Sequence, residues 1–118
     1  MAIDVKRAYE ARAKSDGCRI LVDRIWPRGL TKDDLRVDAW FKDLAPSTAL
    51  RKWFGHDPKK WDEFRQRYAE ELEQRSGALA ELIARVEAGH VTLVFGAKDS
   101  EHNNAVALKQ QLERRLAR

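Results

Sequence analysis

A chain of 118 residues with 43% hydrophobic and 36% charged content fits one soluble globular domain, expected to span residues 1–118, and leaves no room for separate catalytic and regulatory units. No apolar run approaches the ~20 residues that cross a bilayer, so no membrane partner is expected. The acid early in Met1-Ala2-Ile3-Asp4-Val5-Lys6 is unlike a secretory leader and predicts a cytoplasmic protein. The formal charge of +4 favours polyanionic partners, although 23 basic and 19 acidic residues interleave in a way that suits a mixed solvated surface equally well. A single cysteine, Cys18, excludes an internal disulfide and a multi-cysteine metal site, and it reads as a small buried hydrophobe.

Ile3 to Tyr9 reads as a first strand, followed by a turn at Ser15-Asp16-Gly17 and a second, buried strand from Cys18 to about Arg24. Thr31-Lys32-Asp33-Asp34 has the spacing of a capping box and predicts a short helix. Asp38 to Leu44 suits a short strand. Pro46-Ser47 opens a helix capped by Ser47, with Leu50, Trp53 and Phe54 as its apolar face. Asp57-Pro58 is a second start signal, an N-cap acid before a proline, and Trp61, Phe64, Tyr68 and Leu72 then fall on one helical stripe. Ser76-Gly77 interrupts that helix, and Leu79, Leu82, Ile83 and Val86 form the apolar side of the next one, which ends at Gly89.

Val91 to Phe95 is another buried strand. A polar loop, Gly96 to Asn104, leads into a final helix packing Ala105, Leu108, Leu112 and Leu116. Strands alternating with helices predict an α/β fold, a small and largely parallel sheet flanked by helices; the rival is α+β with an N-terminal hairpin of the first two strands.

Two loops concentrate the residues that could carry chemistry: Asp23-Arg24-Ile25-Trp26-Pro27-Arg28-Gly29 and Lys98-Asp99-Ser100-Glu101-His102-Asn103. If the strands before them are parallel neighbours, both loops leave the same edge of the sheet, and Arg24, Arg28, Lys98 and His102 line a cationic cleft. The arginine forks suit phosphate or carboxylate and Lys98 supplies a mobile point charge. Trp26 offers a stacking face, Asp23 a group to orient an arginine, and Asp99 and His102 a general acid or base. Structural roles compete at each position. Asp23 and Arg24 suit ion pairs, Asp99 and Ser100 suit helix caps, His102 suits a first-turn surface position, and His56 reads as a loop residue.

Glycine-rich nucleotide loops, a P-loop, His-Glu-x-x-His and a nucleophile elbow are all missing, so no cofactor is expected. Histidines 56, 90 and 102 lack metal-ligand spacing, and no metal site is expected.

The Asp-Arg-x-Trp-Pro-Arg-Gly loop, the Trp-x-Lys-x-x-Ala-Pro-Ser segment (Trp40 to Ser47), the Trp53-Phe54 helix, the Thr92-Leu-x-Phe95 strand and Lys98-Asp99-x-x-His102-Asn103 together resemble the domain-of-unknown-function 488 family, in its YeaO-like branch. The resemblance covers nearly the whole chain and carries no assigned activity. It implies that Arg24, Trp26, Arg28, Lys42, Ser47, Lys98, Asp99, His102 and Asn103 share one functional surface, adding Lys42 and Ser47 to the set read from the loops.

The functional expectation is a small protein holding an anionic ligand, phosphate-containing or nucleotide-like, in a pocket of arginine, lysine and tryptophan. Asp99 and His102 are the residues that would move a proton if the site turns over. The rival readings are a nucleic-acid-binding module that stacks through the Trp-Pro-Arg loop, and a protein-partner surface built on Trp26 and Trp40.

Overall fold

All five residues of Val91-Thr92-Leu93-Val94-Phe95 are buried, because this strand, β4 (Val91–Phe95), has neighbours on both sides and packing on both faces. A computed structural model describes residues 2–117; Met1 and Arg118, the ends of the expected domain, lie outside the described residues. β1 (Ile3–Arg7) pairs with one side of β4, Ile3 opposite Val91 and Arg7 opposite Phe95. β2 (Cys18–Leu21) pairs with the other side, and β3 (Ala39–Trp40) closes the far edge beside β2. The order is β1-β4-β2-β3 and every pairing is parallel. The fold is therefore the expected α/β arrangement. β4 sits between β1 and β2, so the hairpin alternative does not form.

Right-handed crossovers decide which face each connection covers. The connections from β1 to β2 and from β2 to β3 advance across the sheet in the same direction and cover the same face. There Leu21 and Val94 pack with Ala8, Trp26, Trp40 and Leu35, the last from α1 (Lys32–Leu35). The long connection from β3 to β4 runs back and covers the opposite face with α2 (Thr48–Phe54), α3 (Trp61–Glu73) and α4 (Ser76–Ala88). With α5 (Asn104–Leu116), these helices bury Ile20, Leu93 and Phe95 against Leu50, Phe64, Tyr68, Leu82 and Leu108. No helix among the described residues is long and apolar enough to cross a membrane.

Most local signals act as their chemistry predicts, but the strand expected from Asp38 to Leu44 is limited to Ala39–Trp40, and Lys42–Leu44 forms a 3-10 turn that leads toward α2. Thr31 Oγ1 accepts from Asp34 N–H at 3.0 Å while Asp34 accepts from Thr31 N–H at 2.9 Å, closing the capping box of α1. Ser47 caps α2, accepting from Leu50 N–H, and also donates to Glu71 of α3 at 2.6 Å, which ties the two helices together. Asp57-Pro58 opens a 3-10 turn that runs into α3, and the interruption expected at Ser76-Gly77 falls at Gln74-Arg75 instead, so that Ser76 and Gly77 form the first turn of α4. β1 ends at Arg7, two residues before the expected end, because the chain turns away at Tyr9.

The face covered by connections is secured by a buried polar hub. Asp16 accepts from Lys6 Nζ (3.0 Å), Arg19 Nη1 (2.7 Å) and Ala13 N–H (3.0 Å). Arg19 also donates to the carbonyls of Leu35 (2.9 Å) and Arg36 (3.3 Å), so the end of α1 is fastened to β2. Gly17 lets the chain enter β2 beside this hub: its φ is +65°, and a Cβ there would lie 2.5 Å from the carbonyl oxygen of His90. Gly17→Ala is expected to destabilise the fold by about 2 kcal/mol in urea unfolding, from backbone strain and displacement of the His90 segment.

Candidate functional site

In an open parallel sheet, ligands bind where adjacent strands send their chains to opposite faces. β2 and β4 are such a pair, since the chain after β2 crosses the face of α1 while the chain after β4 enters α5. A pocket of about 290 Å³ lies at this point. Its floor comes from Asp23 and Arg24 after β2 and from Gly96, Ala97, Asn103 and Asn104 after β4; Pro46, Arg51, Phe54, His56 and Phe64 wall it, with Ile25 at 60% exposure beside them.

Asp23 bridges the two strand ends. One carboxylate oxygen accepts from Gly96 N–H at 2.9 Å and the other from Asn104 Nδ2 at 3.0 Å, while Asn104 also donates to the Val22 carbonyl. Burial pushes the Asp23 carboxyl above its ordinary range, and the Asn104 and Gly96 hydrogen bonds, with Arg51 and His56 nearby, pull it back in part. The backbone carbonyl of Asp23 accepts from Trp40 Nε1 at 2.7 Å, fixing the loop from behind.

Three basic side chains, Arg24, Arg51 and His56, face this single carboxylate across the pocket lining. Arg24 is the one of the three with a buried polar atom left without a partner: its Nε has no acceptor, and its one hydrogen bond, to the Ala45 carbonyl, is long at 3.5 Å. A buried donor left unpaired costs about 1–3 kcal/mol, which an anion at the guanidinium recovers. His56 holds a left-handed backbone, φ 57°, directly after the left-handed Gly55 that caps α2. The turn of α2 into the next segment is thereby folded back over the pocket.

The structure brings Arg24 and Asn103 of the expected residues into the pocket lining. Asn103 is buried and caps α5, accepting from Val106 N–H and donating to the Asp99 carbonyl at 2.9 Å. Asp99 and His102 lie just outside, joined at 2.9 Å between Oδ2 and Nδ1. Asp99 also accepts from the N–H groups of Glu101 and His102, and these bonds hold its carboxyl below the ordinary range. The His102 ring sits edge-on to Trp61, centroids 5.3 Å apart. Lys98 is exposed in the same loop.

The remaining expected residues lie elsewhere. Trp26 packs on the opposite face, donating to the Leu30 carbonyl at 2.6 Å and meeting Trp40 edge-on at 5.4 Å. Arg28 is exposed, its carbonyl accepting from Tyr9 Oη. Lys42 stands 4.0 Å above the Trp40 ring, and Ser47 is occupied at the α2–α3 junction. Sequence reasoning passed over Arg51, His56 and Asn104 as site residues; the available signal was the Gly55-His56 pair at the end of an apolar helix, a helix stop followed at once by a titratable side chain.

A family model described as the inactive DUF488-N3 subclade matches residues 2–118. The chain belongs to this family. Its relatives include an uncharacterized protein of Mycobacterium tuberculosis, 47% identical over 113 residues that make up 96% of this chain and 95% of the relative. The uncharacterized protein YeaO of Escherichia coli is 41% identical over 112 residues, 95% of this chain and 97% of that protein. The YeaO-like resemblance of the motifs is thus matched by membership along almost the full length. No solved structure matches the chain.

Proposed function

We propose that this protein binds a small organic anion, a phosphate or carboxylate carried on a compact apolar body, in the pocket between the ends of β2 and β4. The carrying observation is Arg24, a half-buried guanidinium with an unpaired Nε, beside Arg51 and His56 at a topological switch point. Phe54, Phe64, Pro46 and Ile25 supply the apolar wall. Asp99 and His102 serve this reading as the frame of the α5 entry loop, because each Asp99 oxygen is already engaged within the loop. Binding without turnover also accords with the word inactive in the family description.

Thermal unfolding against a panel of phosphate monoesters and small carboxylates tests the proposal. A ligand at about 100 times its Kd stabilises the native state by about 2.7 kcal/mol, a rise of roughly 10 °C for a domain of this size. Arg24→Ala is expected to abolish that rise, whereas Arg28→Ala, altered outside the pocket, keeps it. An unchanged rise in Arg24→Ala would sink the assignment.

A further inference from the structure

The opposite, N-terminal ends of the strands carry a second, differently built concentration of charge. Gly17 and Asp38, immediately before β2 and β3, lie in an open groove of about 610 Å³ that is also lined by Arg12, Lys14, Lys32 and Arg36. Asp38 is the one acid in that lining, and its carboxylate accepts from the backbone N–H of Arg19 at 2.8 Å. Among the described residues, none of the four cationic side chains donates a hydrogen bond or pairs with a carboxylate.

These cations are held on a stiff frame. Arg12 and Lys14 belong to the connection that Asp16 anchors, and Lys32 opens and Arg36 caps α1, at whose end the carbonyls of Leu35 and Arg36 accept from the buried Arg19. One buried Asp16–Arg19 pair thus fixes both loops relative to each other. Arg36 ends α1 in the left-handed region, φ 44°, where glycine or asparagine costs less. The chain presents a guanidinium there despite that cost.

The groove's chemistry selects its occupant. Val37 is its one large aliphatic residue and no aromatic side chain lines it, so it offers no stacking platform for unpaired bases and no aromatic anchor for a protein partner. The two large exposed hydrophobics, Tyr9 and Ile25, lie outside it, which leaves nothing to insert into a lipid surface. Four cations carried on an anchored backbone, without base-reading partners, suit a regular row of phosphates. We propose that this groove holds the phosphate backbone of a nucleic-acid duplex, by charge and without base readout.

Fluorescence anisotropy of labelled mixed-sequence DNA and RNA duplexes, titrated with the full chain from 50 to 200 mM salt, tests this. Four phosphate contacts give a slope of log K against log salt of about −3 to −4. The pair Lys14→Ser with Arg36→Ser is expected to weaken binding at low salt and to flatten the slope by about 2, and Lys32→Glu to weaken it as well. These side chains are exposed and unpaired, so unchanged thermal unfolding of both variants is the accompanying check on folding. Arg24→Ala leaves duplex binding intact, which keeps this outcome separate from that of the pocket. Equal duplex affinity for wild type and both variants would overturn the proposal; so would tighter binding to phosphatidylserine vesicles than to duplex, or absence of duplex binding at 50 mM salt.

Discussion

Asp16→Ala is expected to lower stability by about 3 kcal/mol, because it strands the Arg19 guanidinium in the interior. The Arg19 side chain is 4% exposed and meets Asp16 at 2.7 Å. The two carbonyls it retains, those of Leu35 and Arg36, keep the cost at the lower end of the range for a broken buried pair. A cycle with Arg19→Met separates the pair from its parts: the double variant should be more stable than Asp16→Ala alone, since the uncompensated charge is gone. Burial alone would raise the Asp16 carboxyl, but the Ala13 N–H, Lys6 and Arg19 outweigh it and bring it from 3.8 to about 2. A carboxyl depressed by folding contributes fully above its unfolded value and loses that contribution as the pH falls from about 4 toward about 2. Urea unfolding at pH 7 and at pH 2.5 is therefore expected to show the gap between wild type and Asp16→Ala narrowing at the lower pH. A gap that is constant or widens would remove the carboxylate from this role.

The parts of the fold that were legible in the sequence are those specified by local chemistry. β4 is apolar at four of its five positions because both of its faces and both of its edges are covered, and that run admits few other readings. The capping box at Thr31 and the stripe from Trp61 to Leu72 are equally local. Strand order is a different kind of fact. Crossover handedness fixes only the direction in which each connection advances, the place of β4 between β1 and β2 is set by long-range pairing, and the residues from 8 to 17 are a length compatible with either a loose hairpin or a crossover.

The pocket was half legible for the same reason. Arg24 and Asn103 follow buried strands and stand out, whereas Arg51 and His56 reach the site through the return of α2 over the end of β2, a contact spanning about thirty residues of chain. The tryptophans show what sequence chemistry leaves open. An indole after a strand suits a ligand platform, yet here Trp26 and Trp40 each direct the ring N–H to a backbone carbonyl, Leu30 and Asp23 respectively. Trp40 thereby supports the pocket loop from the opposite face of the sheet.

Phe64→Ala is expected to cost about 3–5 kcal/mol and to remove ligand stabilisation together with it. Phe64 is 2% exposed and stacks on Phe54 at 4.3 Å, with Trp61 at 5.7 Å and Tyr68 at 5.8 Å. It also lines the pocket, so the residue that joins α2 to α3 is the same one that would face the ligand's apolar body. Phe64→Leu separates the two roles. A smaller aliphatic side chain keeps most of the packing, for a loss of about 1.5 kcal/mol or less in urea unfolding, and leaves Arg24, Arg51 and His56 unaltered. Isothermal titration should then show ring-bearing anions binding about 0.5–1.5 kcal/mol more weakly than to wild type, the worth of an aromatic contact, with inorganic phosphate unaffected. Equal weakening for inorganic phosphate would mean that Phe64 acts by holding the guanidinium in place, and the apolar body would drop out of the ligand's description.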